Sequence, residues 1–500
     1  MRLSTLLQAA EIRPLAEIGA DPEVGGVSLD SRRITPGDLF FAIRGFKSDG
    51  DDFVPEAVRR GACAVVSASA RPRGLDPAIA WVRVEQPRKI AGLLSREVHG
   101  RPDESLTLVG ITGTNGKTTV AHMVRSMAAA AGLRAGLIGT VGHAFADVER
   151  PAERTTPEAP ELYRLLAEMR GESVDLVAME VSSHALSLGR VEGVRFATAA
   201  FLNIGRDHLD FHLDDESYFE AKSKLFESLP PEGCAVLPAD SQHGERMRRR
   251  TAARVLTFGR SAGATVRLRE ERSGLDGSSA VLDTPTGALP VRTFLPGKFN
   301  LDNVAAAAAC ALAVDLPSES ITSGVLSLQA VPGRMEPVDR GQPFTVFVDY
   351  AHTEQALRAL LEWLVEVAAG SVRLVFGCGG DRDAGKRFGM GRAAAEAGCR
   401  IYLTSDNPRG EEPRKIIGDI AKGIAAVPGA AERCTTVPDR EEAIHSAIRE
   451  AEPGDTVLLA GKGHESTQTI GGRVEPFDDR IIAAQALENL GYDGERNAGA

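Results

Sequence analysis

Short apolar runs alternate along the chain with polar, glycine-rich interruptions, and the spacing of the apolar residues changes across them. Leu106, Leu108, Val109 and Ile111 form a strand-like run that gives way to Gly113 and Gly116. Val120, Met123, Val124 and Met127 follow at helical spacing. That change of period across a glycine-rich turn predicts a strand, a loop and a helix. An apolar strand over 174–179 likewise stops at Glu180, Ser182, Ser183 and His184, and one over 197–204 delivers Asn203, Arg206, Asp207, His208 and Asp210 at its end. After residue 334 the pattern recurs in TVFVDY (345–350), VRLVFGCGGDRDAGKR (372–387), IYLTSDNPR (401–409) and TVLLAGKGHE (456–465). Strands that each stop at a polar or glycine-rich loop predict a doubly wound parallel sheet with its site along one edge.

The first 101 residues carry short strands, at VSLDSR, GDLFFAI, ACAVVS and WVRVE, with helical pieces such as VPEAVRRGA between them. HGRPDES (99–105) reads as a linker, with turn residues and a proline. The charged stretch 238–283 reads as peripheral strands and loops, and 296–314 as an alanine-rich helix with Asn300 and Asn303 near its start. The expectation is an α/β protein of three domains: a small one over 1–101, a central one over 102–333 with a mostly parallel sheet, and a doubly wound one over 334–500.

A chain of 500 residues has room for about three domains, and 43% hydrophobic with 25% charged residues is a soluble globular composition. No segment is apolar for long enough to span a bilayer and the first fifteen residues lack a signal-peptide layout, so a cytoplasmic location is expected. The six cysteines have neither C-x-x-C pairing nor zinc spacing and read as reduced thiols. A net charge of −11 argues against general nucleic-acid or anionic-membrane binding, while local arginines leave room for small acidic substrates.

TGTNGKTT (112–119) carries the clearest chemistry. Its glycines let successive backbone N–H groups face one hollow at a helix N-terminus; Lys117 can reach outer phosphates and Thr118 can ligate Mg²⁺. Ile111 stands where the usual P-loop has its first glycine. Glu180 and His208, on successive strand ends, can face one metal. Lys222 by itself reads as a solvent-facing lysine, and SLDSR (28–32) as a polar turn. Arg382, Lys386, Arg387 and Arg409 gather positive charge on two neighbouring loops, which suits an acidic substrate group.

Taken together, GTNGKTT, MEVSSHAL, NIGRDHLDFH, GKFNLDN, VPGRME, VDYAHT, GCGGDRDAGKR, TSDNPR and GKGHE resemble the Mur ligase family, in order over nearly the whole chain. The resemblance implies a UDP-binding first domain, a central P-loop ATPase and a mobile Rossmann-like domain for the incoming amino acid. It implies that Gly113, Thr114, Asn115, Gly116, Lys117, Thr118 and Thr119 bind ATP phosphates, with Asn300, Asn303, Arg334 and Asp349 also meeting the nucleotide. Ser31 would contact the UDP part, and Thr155, Thr156, Ser182 and Arg190 the muramoyl-dipeptide. Thr118, Glu180 and His208 would serve Mg²⁺, joined by Lys222 as a carbamate. Arg382, Asp406, Asn407, Pro408, Arg409, Gly461 and Glu465 match the amino-acid pocket.

The implied reaction is ATP-dependent ligation of meso-diaminopimelate to UDP-N-acetylmuramoyl-L-alanyl-D-glutamate through an acyl phosphate, by a monomer with ATP and Mg²⁺. DNPR is the form found with diaminopimelate as acceptor, and a guanidinium can pair bidentately with the carboxylate that lysine lacks. HTEQAL after Asp349, Phe388-Gly389 after GKR, and Leu188 depart from the commoner pattern. The alternatives are the same ligation with L-lysine, a sister ligase such as folylpolyglutamate synthase, and a non-enzymatic regulator switched by ATP.

Overall fold

The computed structural model describes residues 1–15, 19–45, 48–208 and 211–494, so Asp210 lies outside the described residues. Three separate α/β sheets organise them, with a two-stranded ribbon near the end.

The first sheet has four parallel strands, Gly26–Ser28, Asp38–Ala42, Ala64–Ser67 and Ala80–Arg83, in sequence order. Successive side chains of a strand point to opposite faces. Leu39 and Phe41 accordingly pack on the helices Leu3–Ala9 and Pro87–Val98, while Phe40 and Ala42 pack with Val54 and Ala57 of the helix Val54–Arg59.

The central sheet has eleven strands. Its parallel middle runs Ala135–Ile138, Leu176–Glu180, Thr107–Thr112, Thr198–Phe201, Cys234–Pro238, Arg254–Gly259. The strand before the glycine-rich loop thus lies where the strand order reverses, the place where a crevice opens in such sheets. The helix Lys298–Ala313 is buried along most of its length, with Ala305 to Ala309 fully buried, and its small side chains admit close neighbours. Gly324, on the helix Ser318–Ser327, presses on the glycine-rich loop's own helix, Lys117–Ala130, where a Cβ would overlap the Met127 backbone.

The third sheet runs Glu336–Pro337, Thr345–Asp349, Thr456–Ala460, Val372–Phe376, Arg400–Leu403, Cys434–Thr436, parallel except for its first strand. Helices cover both faces.

Three features differ from the sequence expectation. The 99–105 segment is not a loose linker: Pro102–Glu104 forms a helical turn, the buried Asp103 accepts from Arg96 Nε at 2.9 Å, and Arg170 donates to the carbonyls of Gly100 (2.7 Å) and His99 (3.0 Å). The 238–283 stretch, as read, supplies peripheral strands: Val266–Gly274 and Gly277–Thr284 extend one edge of the central sheet, followed by Gly287–Thr293. The strand expected to reach residue 204 ends at Phe201, which puts Asn203 in the following loop. The ribbon Thr467–Ile470 with Arg473–Pro476 was not foreseen. No helix among the described residues is long and apolar enough to cross a membrane.

Candidate active site

The 113–116 loop is held from the adjacent strand end. Asn203 Oδ1 accepts from Asn115 N (2.9 Å), its Nδ2 donates to Asn115 O (3.1 Å), and its carbonyl takes Thr114 N (3.1 Å). Gly116 sits at φ +88°, where a side chain would also overlap Asn303 Oδ1, so glycine is required twice over. The Lys117 ammonium folds back on the carbonyls of Gly113 and Thr114, both at 2.9 Å. Burial lowers its pKa, opposed by Glu180 and Asp207. The loop opens on a cavity of about 380 Å³ closed from the other side by Arg334, Tyr350, His352 and Leu360 of the third region.

Glu180 is buried at its strand's end and gathers the neighbouring hydroxyls. Its Oε2 accepts from Thr118 Oγ1 (3.0 Å) and Thr140 Oγ1 (3.1 Å), and its Oε1 from Thr140 N (2.7 Å). Thr140 Oγ1 and Thr155 Oγ1 are hydrogen-bonded at 3.0 Å. Thr156 Oγ1 donates to the Glu180 carbonyl (2.9 Å) and accepts from Ser182 N (3.0 Å), while Arg190 donates to the Thr156 carbonyl (3.1 Å) and pairs with Glu158 (3.0 Å). Thr155, Thr156, Ser182 and Arg190 are therefore one connected group beside the metal carboxylate candidate.

Lys222 is fully buried, contrary to its solvent-facing reading. Its helix Asp215–Glu227 starts with a reciprocal cap between Asp214 and Ser217 and buries Lys222 on the face it shares with Tyr218, Phe219 and Leu225. Lys222 Nζ lies 4.3 Å from the Tyr218 ring centroid and donates to Gly113 O at 3.1 Å, the same carbonyl Lys117 uses. Burial first, then the Lys117 charge, push its pKa well below the ordinary lysine value. His208 borders the same cavity at a left-handed φ of +56°, 3.3 Å from Asp207. Burial depresses its pKa to about 3, so the ring is neutral at ordinary pH. His352, from the third region, approaches Asp207 at 3.7 Å from the opposite side.

Arg334 spans the same gap, donating to Thr118 Oγ1 at 2.9 Å while stacking 4.5 Å over the Tyr350 ring. Asp349 accepts from the N–H groups of Met335 and Ala351, both at 2.7 Å, and burial raises its pKa. Asn300 Nδ2 donates to Pro296 O (2.7 Å), and its Oδ1 takes Asn303 Nδ2 (2.9 Å).

A second group forms at the carboxyl edge of the third sheet. Asn407 Nδ2 donates to Glu465 Oε2 at 2.7 Å, and Gln468 reaches the Asp406 carbonyl at 2.7 Å. Gly461, at φ +112°, lies so close to the Asp406 carboxylate that a Cβ would crowd it at 2.6 Å. Arg409, at φ +53°, is paired by its backbone to the ribbon through Thr469 O (2.9 Å) and Gly471 N (2.8 Å). Its Nη1 donates to Gly380 O at 2.8 Å. Arg382 is exposed on the adjacent loop, whereas Arg387 corrects the expected basic cluster: it is buried and neutralised by Glu411 (2.7 Å) and Asp419 (3.3 Å).

The Mur ligase middle domain matches residues 111–311, the Mur ligase glutamate ligase domain 333–463, and the Mur ligase family catalytic domain 23–98. The UDP-N-acetylmuramoyl-L-alanyl-D-glutamate–2,6-diaminopimelate ligase of Solibacter usitatus is 45% identical over 98% of this chain and 99% of its own. The ligase of the same name from Geobacillus kaustophilus is 42% identical over 95% and 96%. The chain belongs to the Mur ligase family. A solved structure with that same ligase name superimposes with a TM-score of 0.68 at 31% identity, over 97% of this Mur ligase and 99% of the other chain.

Among the described residues of this Mur ligase, no three His, Cys, Asp or Glu side chains cluster to hold a metal by themselves. Thr118 Oγ1 and the Glu180 carboxylate instead offer hard oxygens at a nucleotide-sized cavity, a set that fits Mg²⁺ when phosphates and water complete the shell. Ser31 lies in a separate cleft of about 900 Å³ between the first and central sheets, where its hydroxyl donates to Glu56 at 2.7 Å. Thr140 and Lys462 went unassigned in the sequence. Thr140 follows a strand end, so the rule that singled out Glu180 covers it too; no sequence signal marks the burial of Lys462.

Proposed function

We propose that this Mur ligase joins meso-2,6-diaminopimelate to the D-glutamate γ-carboxylate of UDP-N-acetylmuramoyl-L-alanyl-D-glutamate, converting ATP to ADP and phosphate. Relatives of that printed name match it end to end. The observation that carries the choice of acceptor is Arg409. The ribbon clamps its backbone, and among the described residues both of its side-chain hydrogen bonds use Nη1, so the Nε–Nη2 edge is left for a carboxylate. Lysine would leave that guanidinium without its anion, worth on the order of 10²-fold or more in discrimination.

In this reading ATP fills the cavity of about 380 Å³, its purine against Phe299, Ala356 and Leu360 and its phosphates in the 113–119 loop. Lys117 swings from its two carbonyls to the outer phosphates, and Arg334 and Asn303 border them. Thr118, Glu180, neutral His208 and carbamylated Lys222 would hold Mg²⁺, which supplies charge neutralisation at the transferring phosphoryl group. A low lysine pKa supports carbamylation, since only a neutral amine adds to CO₂. The UDP-sugar lies in the Ser31 cleft, and its peptide reaches Thr155, Thr156, Ser182 and Arg190. The γ-carboxylate attacks the γ-phosphate to give an acyl phosphate; the acceptor amine, oriented by Asp406 to Arg409, Gly461, Glu465 and Arg382, displaces phosphate through a tetrahedral intermediate. Contacts of Arg334 and His352 across the gap keep water from the acyl phosphate.

The proposal includes domain limits of 1–101, 102–333 and 334–500, a cytoplasmic location, and a monomer, since one chain lines both clefts. The test is phosphate release with each of ATP, the UDP-dipeptide and diaminopimelate omitted in turn. Release only when all three are present supports the reading; release without an acceptor, or none with the full set, overturns it.

A further inference from the structure

Lys462 is fully buried behind the amino-acid pocket, so it touches no substrate. Its ammonium donates to Thr467 O (2.7 Å), Glu465 Oε2 (3.2 Å) and Asn407 Oδ1 (3.4 Å), which uses all three of its protons. Asn407 Oδ1 also accepts from Thr469 N at 3.0 Å, which leaves Asn407 Nδ2 to face Glu465 Oε2 at 2.7 Å. Two donors thus converge on Oε2 of Glu465, and Oε1 remains for an incoming group. A buried ammonium is tolerated only with an anion beside it, and here that anion is Glu465. The same lysine joins three chain segments: the DNPR loop, the GKGHE loop and, through Thr467, the ribbon that pairs with Arg409.

We propose that Lys462 is the positioning residue of the acceptor pocket: it orients the Glu465 carboxylate both directly and through the Asn407 amide, so that Glu465 Oε1 receives an ammonium group of the incoming amino acid. This rests on the function proposed above. Diaminopimelate carries two ammonium groups, and the one that does not react needs an anion held in place. Arg409 selects the distal carboxylate; Lys462, acting through Glu465, selects the ammonium beside it.

The test is steady-state kinetics of Lys462→Met, with KM measured separately for the three substrates. The expected result is a rise of tenfold or more in KM for diaminopimelate, because Glu465 loses the cation that holds its Oε2. KM for ATP and for the UDP-dipeptide stays within twofold. In a Glu465→Gln background the same change adds less than threefold, because both substitutions remove one interaction. Equal rises in all three KM values, or fully multiplicative losses in the double variant, overturn the proposal. Should Lys462→Met fail to melt cooperatively, Lys462→Arg decides: retained charge keeps KM for diaminopimelate within threefold, and a tenfold rise overturns it. Wild-type protein that ignores diaminopimelate contradicts the proposed function itself; wild-type turnover with an indifferent Lys462→Met contradicts only this assignment.

Discussion

Lys117 and Lys222 donate to the same carbonyl, that of Gly113. Two ammonium groups there oppose one another, and burial penalises both, so Lys222 gives up its proton more readily. Lys222→Met is expected to lower phosphate release on the order of 10²-fold, and CO₂-depleted buffer to lower wild-type activity until bicarbonate restores it, while the variant ignores bicarbonate. His122, on the helix after the loop, makes a pH prediction. Burial, with Arg125, Arg334 and His464 around it, lowers its pKa from 6.5 to about 4. Folding therefore excludes a proton that the unfolded chain binds; the contribution is complete above 6.5 and is lost as pH falls from there toward 4. Between pH 7.5 and 5, His122→Leu should lose about 2 kcal/mol less stability than wild type in urea unfolding. At this scale the sequence was least informative. Gly116, Glu180 and Arg409 are marked by type and place, but Lys222, Lys462 and Arg387 look like surface cations until long-range packing and partners such as Glu411 bury them.

Among the elements, the strands that end in site loops were legible because each apolar run stops at glycine or a polar cluster, as at Gly113, Glu180 and Asp406. The ribbon was also legible in principle: Gly471 and Gly472, both at positive φ, form the two-residue turn that such hairpins favour, between runs of strand-forming residues. What no local pattern conveys is how closely elements approach. Gly324 looks like a weak point in a short helix, yet it is where that helix meets the Met127 backbone. Gly324→Ala should destabilise by about 1–3 kcal/mol despite its better helix propensity, read as a lower unfolding midpoint. An unchanged or higher midpoint would mean that the two helices can separate at little cost.

For the whole molecule, three sheets and two clefts follow from a chain whose motifs recur in one order, but the joints between the parts do not. The gap between the central and third regions is bridged by Arg334 to Thr118, by Asp207 to His352, and by Lys298 to Glu366. The last pair is exposed and so worth little; the first two converge on the loop and strand ends that face the nucleotide cavity. In the proposed function, closure and chemistry share these side chains, and the acceptor pocket around Arg409 decides which amine reacts. Wild-type and Arg409→Met proteins, each given ATP, the UDP-dipeptide and equal concentrations of meso-diaminopimelate and L-lysine, with products resolved by mass, test this directly. The wild type should yield the diaminopimelate product on the order of 10²-fold over the lysine product, and the variant should lose most of that preference. Comparable amounts of both products from the wild type, or an undiminished preference in the variant, would contradict it.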